Sequence, residues 1–459
     1  LPHTVIIGLG QTGLSCARYL AAQGVDFAVA DTRFKPAGLD EFEQAFPDAE
    51  IWLGPLDEAQ LCEAQELVVS PGVAISQPAI ARAIASGVSV VGDIELFSRA
   101  VSVPIVAITG SNAKSTVTTL VGKMAETAGW PVAVGGNIGI PVLDLLLDLK
   151  DKPEAEQPRL FVLELSSFQL ETTHSLKAKA ASILNLSADH LDRYPSMLEY
   201  GLAKQRIYIG CEYAIVNRQD EATLPVHSFK NTQISFGLDQ PDLGHFGLRE
   251  SEGALFLAYG KELLIPTTEI TLTGRHGQAN ALAALALGHS VGLPMSAMLE
   301  TLRHFVGLPH RCQLVKEFNQ VCFIDDSKGT NVGATVAALN GLGAGIQGRI
   351  VLIAGGDGKG AEFDGLTLPL QQYARALVLI GRDVPQIAAV APKSLALNFA
   401  QDMTDAVQQA AELALPGDIV LLSPACASFD MFANYVARGQ AFASAVQSLA
   451  AGSAVQGVE

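Results

Sequence analysis

The sequence predicts an α/β protein of three domains, each built on a largely parallel sheet. Three observations carry this reading. Short, almost wholly apolar strands alternate with Ala-, Leu- and Gln-rich helical stretches along most of the 459 residues. Strands buried on both faces of a parallel sheet read in this way. Two of those strands run into glycine loops that open a helix, Gly8-Leu-Gly10-Gln-Thr-Gly13 and Gly110-Ser-Asn-Ala-Lys114-Ser115-Thr116. The length itself suits two to four domains at roughly 100–200 residues each.

Taken in order, a Rossmann-like N-terminal domain spans 1–102, with strands expected at 4–7, 27–30 and 67–70. A central mononucleotide-binding domain spans 103–307, with strands at 105–109, 160–165, 181–186 and 213–216. The βα rhythm breaks between about Pro225 and Pro266. Polar and Gly turns there suggest extra β-hairpins at 233–237, 245–249, 254–258 and 262–265, before a helix over 278–287. A second Rossmann-like domain spans 308–459, with strands at 321–324, 349–354, 376–380 and 418–422. Pro-bearing breaks at 101–104 and 307–309 set the boundaries.

Composition excludes several function classes. Lys and Arg number 30 against 47 Asp and Glu, a formal charge of −17. Nucleic acids and anionic membranes call for a basic surface, so neither is expected as a partner. Six scattered Cys form no C-x-x-C pair, which suggests no disulfide framework or zinc ribbon and fits a reducing cytoplasm. No apolar run reaches the ~18 residues of a membrane span, and residues 1–20 lack the basic start of a signal peptide. A cytoplasmic monomer is expected.

The first glycine loop joins strand to helix, and Asp31 closes the next strand. Glycines allow a tight turn and close backbone approach, and the helix N-terminus attracts a diphosphate. A nicotinamide dinucleotide and a nucleotide-sugar both satisfy that pattern. The second loop ends in Lys-Ser-Thr at a helix start, a phosphate cradle in which Lys114 neutralises β/γ oxygens and Ser115 reaches Mg²⁺. The strict P-loop pattern fails at Ala113, where Gly is usual before the Lys.

Glu164 ends an apolar strand, at the sheet edge where ligands bind. A buried carboxylate there must be paired or metal-bound. Asp189 and His190 follow the next strand, so Glu164 and His190 could share a metal site. Oxygen ligands with one imidazole suit Mg²⁺ or Mn²⁺ better than zinc. A structural salt bridge between Asp189 and Arg193 accounts for the same residues equally well. By pattern alone, Lys204 is an exposed lysine on an amphipathic helix.

In combination these residues resemble the Mur ligase superfamily of ATP-dependent amide-bond ligases. The resemblance covers essentially the whole chain. It rests on the 110–116 loop, Glu164-Leu-Ser-Ser-Phe-Gln169, Asn185 with Asp189-His190-Leu-Asp-Arg193, Asn280, His310-Arg311 and Asp326-Ser-Lys328. Ser70-Pro-Gly72, Gly92-Asp-Ile-Glu-Leu-Phe97 and Ser423-Pro-Ala-Cys-Ala-Ser428-Phe429-Asp add to it. These last motifs, with the Gly8–Gly13 turn, narrow the resemblance and imply a peptidoglycan-precursor ligase that adds D-glutamate to UDP-N-acetylmuramoyl-L-alanine. The three domains would hold the UDP-sugar, ATP with two Mg²⁺ (Mn²⁺ as a substitute), and D-glutamate.

Carried over residue by residue, Gly13, Leu14, Asp31, Thr32, Arg33, Ser70, Pro71, Gly72 and Asn137 would bind the UDP-sugar. Gly110, Ser111, Asn112, Ala113, Lys114, Ser115, Thr116, Asn280, Arg311 and Asp326 would bind ATP. Ser115, Glu164, His190 and Lys204 would hold metal, Lys204 as a carbamate made with carbon dioxide. Lys114, His190 and Lys204 form the catalytic set. Lys328, Thr330, Lys359, Ser428, Phe429 and Tyr435 would form the D-glutamate pocket. Two further departures from the family pattern are Gly277, where Asn is frequent, and Gly329, where Ala is usual. The competing readings are a sister Mur or folylpolyglutamate-type ligase for another amino acid, an NAD(P) oxidoreductase, and a non-catalytic nucleotide-sugar binder.

Overall fold

In the computed structural model, which describes residues 3–226, 231–272 and 274–456, the strands form three sheets of five, nine and six. The first contains β1 (Thr4–Ile7), β2 (Phe27–Asp31), β3 (Ile51–Leu53), β4 (Glu66–Val69) and β5 (Ser89–Val91) in the order β3-β2-β1-β4-β5. All its pairings are parallel. This places the turn after β1 at the point where the strand order reverses, the usual ligand edge of a doubly wound sheet.

The second sheet contains β6 (Ile105–Thr109), β7 (Val132–Gly136), β8 (Leu160–Glu164), β9 (Ala180–Ile183), β10 (Tyr213–Asn217), β11 (Thr232–Phe236), β12 (Phe246–Ser251), β13 (Ala254–Tyr259) and β14 (Glu262–Pro266). Its order is β14-β13-β12-β11-β10-β9-β6-β8-β7. Here the structure corrects the sequence reading. The segment expected to begin a set of hairpins, β11, pairs parallel to β10 and extends the parallel sheet. Only β12, β13 and β14 form an antiparallel meander. Glycine and polar turns mark where the chain reverses, and they do not say which strand it returns to.

The third sheet contains β15 (Gln313–Phe318), β16 (Val321–Asp325), β17 (Ile350–Ala354), β18 (Ala374–Leu379), β19 (Ala396–Phe399) and β20 (Ile419–Leu422), ordered β15-β16-β20-β17-β18-β19. Only β15 is antiparallel to its neighbour.

Five strands had no clear signal in the sequence: β3, β5, β7, β15 and β19. Every one is a sheet edge. Edge strands bury fewer side chains, so they lack the apolar run that marks central strands; β15 and β19 contain no buried residue.

The chain divides into two compact units. The first comprises Leu1–Leu186, Leu198–Ile270 and Ala279–His304; the second comprises Ser187–Met197, Thr271–Gln278 and Phe305–Glu459. In the first unit one apolar core runs from Ile6 and Val29 through Phe97 to Ile105, Phe161 and Val216, so it joins the first two sheets. In the second unit separate cores cover the two faces of the third sheet, one around Leu352 and Leu377 and the other around Val351 and Phe442. Among the described residues, no helix is long and apolar enough to cross a membrane.

Candidate active site

The first unit carries both glycine loops. Strand β6 ends at Thr109, and the chain turns through Gly110 at φ 149° into the helix Lys114–Thr127. The loop is held from β9's exit. Asn185 accepts from the Asn112 N–H at 2.8 Å, returns its own amide to the Asn112 carbonyl at 3.1 Å, and accepts the Ser111 N–H on its backbone carbonyl at 2.9 Å. Ser111 Oγ lies 3.2 Å from the Tyr200 hydroxyl. The motif position of Asn185 was visible in the sequence, whereas its clamping role depends on the β6–β9 pairing.

Lys114 Nζ donates to the carbonyls of Gly110 at 2.8 Å and Ser111 at 3.0 Å. Lys204 is 1% exposed, not an exposed lysine as its helix pattern alone suggests. Its Nζ donates to the same Gly110 carbonyl at 3.0 Å and to Thr109 Oγ1 at 3.2 Å, and lies 4.8 Å from the Tyr200 ring centre. Two lysine nitrogens therefore meet at one carbonyl, within about 6 Å of each other. As two ammonium ions they would repel by about 3 kcal/mol at an effective dielectric constant near 20.

Ala113 stands at φ 66°, ψ −2°, in the left-handed region. A non-Gly residue there costs roughly 1–2 kcal/mol. Ala113→Gly should relieve that strain but add about 0.4–1 kcal/mol of unfolded-state freedom. The net expected gain is on the order of 0.5 kcal/mol, with the loop unchanged. Urea unfolding of the two proteins checks this, and a less stable Gly variant would refute it.

Glu164 ends β8 with 1% exposure. Its Oε1 accepts from Asn137 Nδ2 at 2.8 Å, and its backbone carbonyl accepts from the Asn137 N–H at 2.8 Å. Its Oε2 is buried and accepts no hydrogen bond. A buried carboxylate oxygen without a donor is costly. A cation would satisfy it, so the residues present fit a metal ion at this strand end. Among the described residues no three of His, Cys, Asp and Glu cluster.

At the first loop, a Cβ on Gly13 would lie 2.0 Å from the Gly8 carbonyl oxygen, so only glycine fits. Ser70 Oγ donates to that carbonyl at 2.9 Å. Asp31 is 2% exposed and its oxygens accept from the Leu9 N–H, the Arg33 N–H and the Arg33 guanidinium at 2.7–2.9 Å. Burial pushes its carboxyl up, but Arg33 and these amides outweigh it and hold it below the usual carboxylate range. Asp31 thus anchors Arg33 and the loop. A dinucleotide fingerprint needs this acid for a ribose hydroxyl. Thr32 and Arg33 are exposed beside it, and Pro71 and Gly72 line the turn after β4.

The second unit carries His190 and the predicted amino-acid pocket. Asp189 ion-pairs with Lys359 Nζ, accepts from Asn331 Nδ2 at 3.1 Å and accepts from the His190 N–H at 2.9 Å. Burial pushes the Asp189 carboxyl up, but Lys359 and His190 more than offset it and leave it lowered. The Lys359 and Asn331 partners come from loops far away in sequence. Lys359 lies at φ 53°.

Asp326 is buried, accepting from Ser423 Oγ at 2.7 Å and from the Cys312 N–H at 3.2 Å. Burial pushes its carboxyl up to about 6, against the Ser423 hydrogen bond and the charge of Arg311. A Cβ on Gly329 would sit 2.7 Å from both Asp326 Oδ2 and Ser423 Oγ, and one on Gly277 would sit 2.4 Å from the Leu272 carbonyl oxygen. At both positions a side chain would force these neighbours to move.

Lys328 Nζ stands 3.9 Å over the Tyr435 ring, while Ser428 is buried and Phe429 is 74% exposed. Thr330 is half-buried in the same loop as Lys328, and Asn280 is half-buried on the helix Gly274–Ser290. Arg438 was missed by sequence reasoning. It is 2% exposed and donates to Ser327 Oγ and to the carbonyls of Ser327, Cys426 and Ala427 at 2.8–3.2 Å, tying the two motif loops together. Its helix carries no sequence signal for that role.

The first unit thus carries a doubly wound sheet with a glycine turn and a strand–loop–helix of phosphate-binding type with two lysines, and the second carries a further α/β sheet. The chain belongs to the Mur ligase family: residues 2–92 match the Mur ligase MurD-like N-terminal domain, 108–288 the Mur ligase middle domain and 310–426 the Mur ligase glutamate ligase domain. It is 53% identical over 446 residues to the UDP-N-acetylmuramoylalanine–D-glutamate ligase of Pseudomonas putida, covering 97% of both chains. The enzyme of the same name from Pseudomonas aeruginosa is 52% identical, covering 97% of this chain and 98% of the relative. The fold is similar to that of the UDP-N-acetylmuramate-alanine ligase of Thermotoga maritima, with TM-score 0.59, 18% identity and 98% and 100% of the two chains covered.

Proposed function

We propose that this chain joins D-glutamate to UDP-N-acetylmuramoyl-L-alanine at the expense of ATP, in the cytoplasm, as a step of peptidoglycan precursor synthesis. The observation that carries it is the phosphate loop, where Lys114 and a buried Lys204 meet at the Gly110 carbonyl. Identity above one half across the chain to ligases of that specificity supports the choice of substrates.

The chemistry follows from leaving groups. A carboxylate does not acylate an amine in water. Transfer of the ATP γ-phosphoryl to the L-alanyl carboxylate forms an acyl phosphate and ADP; the neutral D-glutamate amine then adds to its carbonyl carbon and gives up a proton. A tetrahedral intermediate then collapses to the amide and inorganic phosphate. Carboxylate and triphosphate are both anions, so their approach needs fixed positive charge. Lys114, the 110–116 amides and the helix N-terminus supply it in the first unit, and Arg311 supplies it in the second. Ser115, Glu164, His190 and a carbamylated Lys204 would hold Mg²⁺, which would screen the triphosphate. Carbamylation would also turn the repulsion between Lys204 and Lys114 into attraction.

The domains 1–102, 103–307 and 308–459 would take the UDP-sugar, ATP and D-glutamate respectively. Thr32, Arg33, Ser70–Gly72 and Asn137 would contact the UDP-sugar, and Asn280 and Asp326 the nucleoside. Lys328, Thr330, Ser428, Phe429 and Tyr435 would form the D-glutamate site. Lys359 would join them only by sharing its charge between Asp189 and the substrate.

Phosphate release from Mg·ATP, measured with UDP-N-acetylmuramoyl-L-alanine and either D-glutamate, L-glutamate or no amino acid, tests this. Release should require the UDP-sugar and D-glutamate together. Release with another amino acid would move the specificity, and none at all from folded protein would overturn the ligase reading.

A further inference from the structure

The segment Gly92-Asp-Ile-Glu-Leu-Phe97 takes no part in the chemistry above, yet it contacts β8 and the segment that follows it at several points. It opens the helix Asp93–Ala100. Asp93 is 3% exposed; its Oδ2 accepts from Gln169 Nε2 at 3.2 Å and its Oδ1 accepts nothing. Gln169, itself 4% exposed, presents its amide oxygen to the Ser166 N–H at 3.1 Å and the Ser166 hydroxyl at 3.3 Å. Ser166 Oγ in turn accepts the Gln169 N–H at 3.2 Å, completing a capping box. Ser166 lies two residues beyond Glu164.

The same helix makes further contacts to this region. Glu95 accepts from the His174 and Ser175 N–H groups at 2.7 and 2.8 Å and from Ser175 Oγ at 2.8 Å. Phe97 meets Phe161 of β8 edge-on, with ring centres 5.1 Å apart. A Cβ on Gly92 would lie 2.3 Å from Thr172 Oγ1, so the two segments touch at backbone distance.

We propose that Asp93 is a positioning residue for phosphoryl transfer, acting through Gln169 to hold the turn after β8 and so the carboxylate of Glu164; this rests on the ligase reading given above. The reason lies in donor and acceptor types. An ionised carboxylate only accepts, so it forces the Gln169 amide to point its nitrogen at Asp93 and its oxygen at Ser166. With an apolar residue at 93, the amide loses that constraint, and the Ser166 N–H loses its partner whenever the amide turns over. Stability alone gives no reason for an acid here. Burial pushes the Asp93 carboxyl up to about 6 despite the Gln169 hydrogen bond, so its ionised form is held at a cost. Asparagine would fill the same space and offer an oxygen to Gln169.

The test compares Asp93→Leu and Asp93→Asn with the unaltered protein by two readouts. In ligand-free protein, amide hydrogen exchange over residues 166–169 should speed about tenfold in the Leu variant and stay within about twofold in the Asn variant. In the ligase assay, kcat should fall about tenfold for Leu with the KM for UDP-sugar changed by less than threefold, and Asn should restore it. Should Asp93→Leu not fold, Gln169→Met removes the same link from the other side and should reproduce both effects. Unchanged exchange in a folded Leu or Met variant would overturn the proposal, as would equal loss of kcat in Leu and Asn. Exchange needs no substrate, so a wrong assignment of the reaction would leave the exchange contrast standing and remove only the kinetic one.

Discussion

Lys114→Ala is expected to lower phosphate release by about 10³-fold or more, with the protein still folded. Lys114 begins the helix after β6, and its Nζ is held over the loop by the Gly110 and Ser111 carbonyls. On the proposed ligase reading, its positive charge stands where two anionic reactants would meet. Removing one preorganised group at a developing charge typically costs 10²–10³ in rate, and a full charge in a site built to gather phosphates should cost at least the upper end. The loop itself has other support, since Asn185 bonds Asn112 through both ends of its amide and Ser111 through its backbone carbonyl. Thermal unfolding of the variant should therefore stay close to that of the parent. Turnover within tenfold of the parent would remove Lys114 from the phosphate role.

Lys204→Ala is expected to be nearly inactive and to recover in part with formate or acetate. The argument starts from charge. Lys204 is buried, and its nitrogen shares the Gly110 carbonyl with Lys114. Two ammonium ions in that position repel by about 3 kcal/mol. A carbamate removes the repulsion and supplies oxygens near Glu164's strand, whose Oε2 has no hydrogen-bond donor. A small carboxylate entering the space left by Ala would restore the anion without the tether. A fully active Ala variant, or a dead one that no carboxylic acid rescues, would sink the carbamate assignment. Mass measurement of the intact protein in bicarbonate would test it independently.

Much of the site was legible because it is local. The 110–116 loop, the Gly8–Gly13 turn and the Glu164 strand end each follow one buried strand, and a strand–glycine–helix pattern places its own residues. Lys204 was not legible from its helix. Its neighbours on that helix follow an ordinary amphipathic pattern, and its burial comes from packing against the β6 loop some 90 residues earlier. Lys359 and Asn331 could not be read as partners of Asp189, because only the fold brings their distant loops to it. Gly277 and Gly329 read as departures until packing showed what a side chain would strike.

The amino-acid sequence by itself determined the α/β class, the central strands and the two glycine loops, because each depends on periodicity, backbone freedom or residue type within a short window. Tertiary structure alone decided the edge strands, the parallel pairing of β11, the meeting of Lys114 with Lys204 at one carbonyl, and the hydrogen bond from Gln169 to Asp93. Those features depend on which distant segments share a sheet or a core, and burial of apolar surface makes that choice for the whole chain at once.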